Sequence, residues 1–459
     1  MRLGKFIVIP LLIISFLLFS SVTANSEDSS IEKRLKALEE RNRTLEKNYQ
    51  DLQEKYEDLQ KRIETEAVVQ EKPKSSEEQV TEVQELKEEV KSVKEEVKRL
   101  LPGTDRFLIT GWGAASYINR QSEGAGVEGQ DSTFNVVFNP IFLFRLLPNL
   151  LFEAEVEFEL EDDETEVGLE YAQIDYLFSR YSTAVLGKFL TPFGVFPLKI
   201  HPAWINKLTN RPLMYRSGFL PFTNVGAQLT GAYAPPNDSF RLTYALALVN
   251  GGVLEIEGEE NEEGIIEEVE DIEIISDSVD ITDNVGFIGR IGVIPFQNSQ
   301  YLNGLEIGAS WLVEKVKLAE DDLEFGPGLM GLDNSRNHFT FGIDWDYFYK
   351  GLELRGEFAQ SHLSLPEEIS NLEKQWGTYV QGSYRPTTLG IKYLKDTEAV
   401  VRYGQRGGDN EEFMRKELGL GLDYWFTSSF VAKAAYFFVF GQEENISNNA
   451  FMLQAAYGF

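Results

Sequence analysis

The sequence predicts an all-β transmembrane barrel of sixteen antiparallel strands, preceded by an α-helical coiled coil. Residues 104–459 contain sixteen segments in which apolar and polar side chains alternate with the period of a β-strand. The connections between these segments are alternately long and short, and the chain ends on an aromatic residue. These features are typical of a barrel that crosses a membrane with its strands.

The N-terminus has the features of a secretory signal peptide. Positive charge at Arg2 precedes an apolar stretch that runs from Phe6 to Phe19. Val22–Ala24 presents small side chains, which predicts cleavage after this tripeptide and removal of residues 1–24. An uncleaved anchor is the alternative, although the apolar run is short for a span of about 20 residues.

Residues 25–103 have the period of a coiled coil. Apolar residues recur in steps of four and three over 31–63, and the remaining positions are nearly all polar. The pattern breaks near Pro73 and ends at Pro102–Gly103. A helix this polar on its other faces needs partners, so we expect it to self-associate in the periplasm. A solvated helical linker is the alternative.

The period changes to two residues after Phe107. The alternation is clearest where Glu153, Glu155, Glu157 and Glu159 separate apolar residues, which predicts that these four glutamates face the lumen. The sixteen predicted strands lie near 107–118, 134–145, 150–160, 167–177, 182–189, 222–234, 240–249, 284–294, 302–313, 337–347, 351–360, 375–384, 398–405, 415–426, 429–440 and 449–459.

An even number of strands places both ends of the barrel on the periplasmic side, where the coiled coil lies. The connection 385–397 is long for a periplasmic turn and contains an apolar run, so a barrel of eighteen strands is the alternative. In the last strand, apolar residues alternate up to the terminus. We expect these to form the signal that the barrel-assembly machinery reads: Phe451, Leu453, Tyr457 and Phe459.

The connection 190–221 is rich in proline and apolar residues and contains no acidic residue. This composition predicts a segment that folds into the lumen and narrows it. Basic side chains at a constriction favour anions, and five residues are candidates for that role: Lys199, Lys207, Arg211, Arg216 and, just before them, Lys188. A segment that packs on the rim with solvated charges is the alternative.

Composition excludes several classes of function. The net charge of −31 argues against a nucleic-acid partner, which requires a basic surface. The chain has no cysteine and only three histidines, with no metal-ligand spacing, so we expect neither a metal nor a cofactor. No Gly-x-Ser-x-Gly motif lies near a histidine, which argues against an enzyme. The connection 251–283 holds fourteen acidic and no basic residues, and would repel anions or bind divalent cations.

Three stretches carry a resemblance to a known family: Leu186–Gly194, Asn284–Gly292 and Asn449–Phe459. Residues 104–459 resemble trimeric outer-membrane porins, in particular the phosphate-selective porin O and P type and related porins with N-terminal coiled coils. The resemblance implies a homotrimer within outer-membrane lipid and lipopolysaccharide, a third external loop folded into each pore, and passive uptake of small anions or nutrients.

The arginine ladder of the phosphate-selective members is not evident in this sequence, so a general or dicarboxylate-type porin is equally open. The alternative function is structural. The coiled coil would then reach the peptidoglycan, and the barrel would serve as an outer-membrane anchor.

Overall fold

The computed structural model describes residues 106–123, 129–161, 164–216, 218–260, 265–276, 284–318, 324–325, 335–366, 373–387, 391, 393–409, 414–441 and 447–459. The predicted signal peptide (1–24) and coiled coil (25–103) lie outside these ranges and stay predictions.

Almost all of the described chain is β-strand. The strands are β1 (Phe107–Glu123), β2 (Gly129–Leu147), β3 (Leu150–Glu161), β4 (Glu164–Ser179), β5 (Ser182–Leu190), β6 (Thr223–Tyr233), β7 (Arg241–Asn250), β8 (Val253–Glu260), β9 (Ile265–Ile275), β10 (Val285–Ile294), β11 (Leu305–Leu318), β12 (Glu324–Phe325), β13 (Arg336–Tyr349), β14 (Leu352–Leu363), β15 (Lys374–Tyr384), β16 (Thr397–Gly408), β17 (Arg415–Trp425), β18 (Phe430–Gly441) and β19 (Ser447–Gly458).

Sixteen of these strands form a closed antiparallel barrel, which confirms the predicted fold class. β8, β9 and β12 stand outside the ring; β7 therefore pairs with β10, and β11 pairs with β13. The ring closes because β1 pairs with both β2 and β19, so that Trp112 lies opposite Asn139 and Gly458. The alternative of eighteen strands is wrong, since the described part of connection 385–397 contains a short 3-10 helix at Leu394–Asp396 and no barrel strand.

The wall is apolar outside and polar inside. In β16, Glu398 and Arg402 are buried, whereas Val401 and Tyr403, between and beyond them, are 50% and 44% exposed. This inversion of the pattern of soluble proteins fits strands that face lipid, where a closed barrel satisfies every backbone hydrogen bond. Among the described residues, no helix is both long enough and apolar enough to span a bilayer.

Aromatic side chains cluster at the end of the barrel that carries the short turns. Phe426 and Phe430 flank the turn between β17 and β18, and their ring centroids are 5.0 Å apart. Tyr301 and Tyr349 pair in the same way between neighbouring turns, with centroids 5.8 Å apart. Aromatic side chains at the ends of barrel strands are typical of the membrane interface.

The C-terminal strand places its predicted assembly residues on the outer face. Phe451, Leu453, Tyr457 and Phe459 are all exposed there. The backbone of Phe459 also exchanges two hydrogen bonds with Gly111, at 3.0 and 3.2 Å, at the seam of the barrel. The role of these four C-terminal residues as an assembly signal stays a prediction.

The acidic connection after β7 contains strands that sequence analysis missed. β8 and β9 form an antiparallel hairpin in which Ile256 lies opposite Ile272. The hairpin is fixed at its base, where the Gly252 N–H donates to Glu314 Oε2 at 3.0 Å. Glutamate has a low intrinsic preference for strands, which explains why the pattern predicted a plain loop.

Candidate pore constriction

Residues 191–222, between β5 and β6, form a segment that lies inside the barrel; we call it the inward segment. It contains a π-helical turn at Phe196–Ile200 and a 3-10 turn at Leu213–Tyr215. Most of its apolar side chains are buried and pack on inward residues of the wall that include Val185, Phe189, Ala247, Val249, Ile288, Leu312, Ala359 and Tyr379. Because these apolar wall residues point into the lumen, the inward segment covers them and fills the part of the lumen next to them.

A single carboxylate of β14, that of Glu357, holds the first turn of the segment. Its oxygens accept hydrogen bonds from the backbone N–H groups of Val195 and Phe196 at 3.0 and 3.1 Å. They also accept from the hydroxyls of Tyr215 and Tyr379, each at 2.6 Å. Burial and the charge of Glu357 raise the pKa of Tyr215 well above its usual value, so this phenol keeps its proton and donates.

Glycine is required beside this carboxylate. Gly194 has a φ of +66°, and a Cβ at this position would lie 2.1 Å from Glu357 Oε2. The Gly194 N–H donates to Ser310 Oγ of β11 at 3.0 Å. The close approach of the chain to Glu357 therefore depends on the absence of a side chain at residue 194.

Lys199 extends from the inward segment to β11 of the barrel wall. Its ammonium lies 2.7 Å from a carboxylate oxygen of Glu306 on β11, and the lysine side chain is 43% exposed. Glu306 also pairs with Arg290 at 3.3 Å, and Arg290 pairs with Asp344 at 2.5 Å. Lys199 is thus the exposed end of a chain of ion pairs along the inner wall.

Two more predicted cations make ion pairs with the wall. Lys207 lies 3.1 Å from Glu398 of β16 and 3.6 Å from Glu353 of β14. Arg216 pairs with Glu417 of β17 at 2.5 Å. These contacts attach the middle and the end of the inward segment to the far side of the barrel.

Two anchoring residues on the wall were missed by sequence analysis. Lys433 of β18 donates to the carbonyl oxygens of Ala203 and Asn206, the latter at 2.6 Å. Arg402 of β16 donates to the carbonyl oxygen of Asn210 at 3.1 Å. The sequence did contain a signal for these two residues. Each cation lies between apolar residues of a strand, and in a lipid-facing strand the charged position must point into the lumen.

Arg211 has a different environment. Its side chain is exposed to the lumen, and its guanidinium carbon lies 4.4 Å above the centre of the Phe222 ring. It interacts electrostatically with Glu157 and Glu170 of the facing wall. Lys188, at the end of β5, is half-buried and also acts on Glu170.

The four predicted glutamates of β3 line the inner side of the wall that Arg211 faces. Glu155 is buried and accepts hydrogen bonds from Trp112 Nε1 at 2.8 Å and Asn139 Nδ2 at 3.0 Å. Sequence analysis did not include their neighbours on β4. Together these residues form what we call the acidic wall: Glu153, Glu155, Glu157, Glu159, Glu170 and Asp175.

A polar cavity of about 380 Å³ separates the acidic wall from the inward segment; we call it the lumen cavity. Glu157 and Glu159 line one side, and His201 and Arg211 line the other. The rest of the lining comes from β1, β2, β19 and residues 203–210 of the segment. The polar space left by the segment is therefore bordered by carboxylates and a guanidinium.

A second buried network lies under the hairpin. His338 Nδ1 is 2.7 Å from Glu314 Oε1, and its Nε2 is 2.7 Å from Ser361 Oγ and 2.9 Å from Thr340 Oγ1. The order carboxylate, imidazole, hydroxyl is that of the catalytic triad of a serine hydrolase. Ser361 is nevertheless buried, and Thr340 shares its histidine nitrogen, so the network links the inner faces of β11, β13 and β14. Within the described ranges, no group of three metal-ligating side chains occurs.

No protein-family model matches the chain. No curated protein sequence matches it either. Among solved structures, it is similar to the anion-selective porin from Comamonas acidovorans, with 11% identity over 77% of this chain and 99% of that chain and a TM-score of 0.49. Salmonella typhi OmpF, in complex with daunomycin, has 11% identity over 77% and 97%, and a TM-score of 0.47. The channel DcaP of Acinetobacter baumannii has 12% identity over 77% and 97%, and a TM-score of 0.46.

Proposed function

We propose that the protein is an outer-membrane porin through which small hydrophilic solutes diffuse passively. The observation that carries this proposal is the lumen cavity, a polar space beside a segment that is fixed across the barrel by hydrogen bonds and ion pairs. A barrel that served only as an anchor would need no such charged interior. The predicted export signal and the apolar outer face support an outer-membrane location.

The proposed surroundings follow from the same features. The outer face would contact outer-membrane lipid and lipopolysaccharide, and the C-terminal strand would be read by the assembly machinery. The homotrimer, the periplasmic coiled coil and its contact with peptidoglycan are proposals from the sequence. Phosphate specificity is not part of the proposal, because the inner wall carries more carboxylates than cations around the lumen cavity.

The basic residues of the inward segment would differ in their effect on passing ions. Lys199, Lys207 and Arg216 lie against carboxylates of the wall, which offset their charge. Arg211 interacts electrostatically with Glu157 and Glu170 but is exposed in the lumen cavity, where its charge also acts on ions that come within a Debye length of about 8 Å. Arg211 is therefore the residue on which the preference for anions predicted from the sequence chiefly depends.

Replacing Arg211 by glutamine should shift the selectivity toward cations. Loss of roughly 0.7 kcal/mol of attraction would lower the anion-to-cation permeability ratio by about threefold. The reversal potential in planar bilayers under a KCl gradient measures this ratio. The matched control is Lys374→Gln, since Lys374 belongs to an exposed ion pair with Asp409. An equal shift in both variants would contradict the special position of Arg211.

Single-channel conductance of the purified full-length protein tests the function itself. A porin gives stable open channels in a planar bilayer, and a trimer closes in three equal steps. Insertion without conductance would contradict the proposal and favour the structural alternative, in which the barrel anchors the coiled coil.

A further inference from the structure

The lumen cavity is rich in hydrogen-bond acceptors on one side. Glu157 and Glu159 line it from β3, and the other carboxylates of the acidic wall lie beside them. Glu159 accepts one hydrogen bond, from Asn135 Nδ2 at 2.7 Å, and an ionised carboxylate has room for several more. Carboxylates this close together repel one another, so a positively charged group between them would be stabilised.

His201 contributes a polar ring to the cavity border from the inward segment. Its Nδ1 lies 2.6 Å from the carbonyl oxygen of Pro197, which can only accept, so Nδ1 carries the hydrogen. Nε2 is the ring nitrogen that faces the acidic wall. Nε2 has no hydrogen-bond partner in the described chain, although the side chain is only 9% exposed, and Glu155 Oε2 is 3.9 Å away. A buried ring nitrogen without a hydrogen-bond partner is destabilising, so this part of the cavity border favours a polar solute.

Arg211 supplies the opposite charge at the same cavity. Its guanidinium is held over the Phe222 ring and carries donors in a planar fork that matches a carboxylate. The cavity therefore offers acceptors for an ammonium group at one side and a fork for a carboxylate at the other. The volume of the cavity is about 380 Å³. One water molecule occupies roughly 30 Å³ in the liquid, so the cavity is large enough for a small organic solute.

We propose that the lumen cavity is a binding site for zwitterionic amino compounds of the size of an amino acid or dipeptide. The ammonium group binds at Glu157 and Glu159, and the carboxylate binds at Arg211 on the other side of the cavity. The inference rests on the proposed function and specifies which of the diffusing solutes are retained in the pore.

Saturation-transfer difference NMR tests the proposal on the full-length protein folded in detergent. The probes are glycylglycine as the zwitterion, glutarate as the dianion and glucose as the neutral solute. We expect the strongest saturation for glycylglycine. In the double variant E157Q/E159Q and in Arg211→Gln, its apparent affinity should fall by about threefold, the effect of one solvent-exposed charge pair.

Controls with the same type of substitution, a charged side chain replaced by its amide or by glutamine, lie outside the cavity. Asp409→Asn and Lys374→Gln alter an exposed ion pair and should leave the glycylglycine signal unchanged. Glutarate or glucose saturating as strongly as glycylglycine would overturn the proposal, and this comparison needs no variant. Unchanged binding in both cavity variants would overturn it as well. Because NMR needs no ion current, absent conductance in bilayers would contradict the proposed function separately.

Discussion

Replacing Glu357 by alanine is expected to release the inward segment and enlarge the pore. The substitution leaves two backbone N–H groups and two tyrosine hydroxyls without their acceptor inside the barrel. At about 1 kcal/mol for each of these four donors, the anchoring lost is roughly 4 kcal/mol. Single-channel recordings should show a larger and noisier conductance than that of the unaltered protein.

The matched control for this prediction is Glu417→Ala. It removes one carboxylate of the inner wall, whose partners are the side chains of Arg216 and Arg402 rather than the backbone of the first turn. We expect a smaller change in conductance, since the packed turn at Phe196–Ile200 stays in place. Glu357→Ala channels with the conductance of the unaltered protein would show that the segment does not depend on this carboxylate.

An arginine at Val401 should destabilise the barrel strongly. Val401 lies near the middle of β16 on the apolar outer face, where it is 50% exposed. A cationic side chain on the lipid face near the middle of the bilayer costs about 2–4 kcal/mol. Denaturant unfolding of the protein in lipid vesicles measures the difference in the free energy of unfolding between variant and parent.

Leu302→Arg is the control for the lipid face. Leu302 is also exposed, but it lies in the turn between β10 and β11. At the membrane interface the same change costs about 0–1 kcal/mol. Equal destabilisation by Val401→Arg and Leu302→Arg would contradict the assignment of the outer face of β16 to the interior of the bilayer.

The sixteen barrel strands were predictable because a lipid-facing wall imposes alternation on every one of them. β16 illustrates this: charged Glu398 and Arg402 alternate with apolar Ala399 and Val401, and the predicted strand at 398–405 matches the observed Thr397–Gly408. The hairpin of β8 and β9 obeys no such constraint outside the barrel. Its glutamates therefore gave no usable signal of strand structure.

The candidate site was only partly predictable, because sequence does not reveal which strands face one another across a lumen. The composition of 190–221 predicts a segment that needs a packed environment, and the structure places it inside the barrel. The partners of its cations come from residues more than 100 positions away, such as Glu306 for Lys199 and Glu398 for Lys207. Only the closed ring of strands brings these carboxylates within reach.

Cysteine accessibility during single-channel recording tests most directly that solutes pass between the acidic wall and the inward segment. The chain has no cysteine of its own, so Glu157→Cys and Leu186→Cys each introduce a single thiol. Glu157 lines the lumen cavity, and Leu186 is 61% exposed on the outer face of β5. A charged, membrane-impermeant thiol reagent should reduce the current through Glu157→Cys channels and leave Leu186→Cys channels unchanged. Current that stays the same in Glu157→Cys channels after complete labelling would contradict this path.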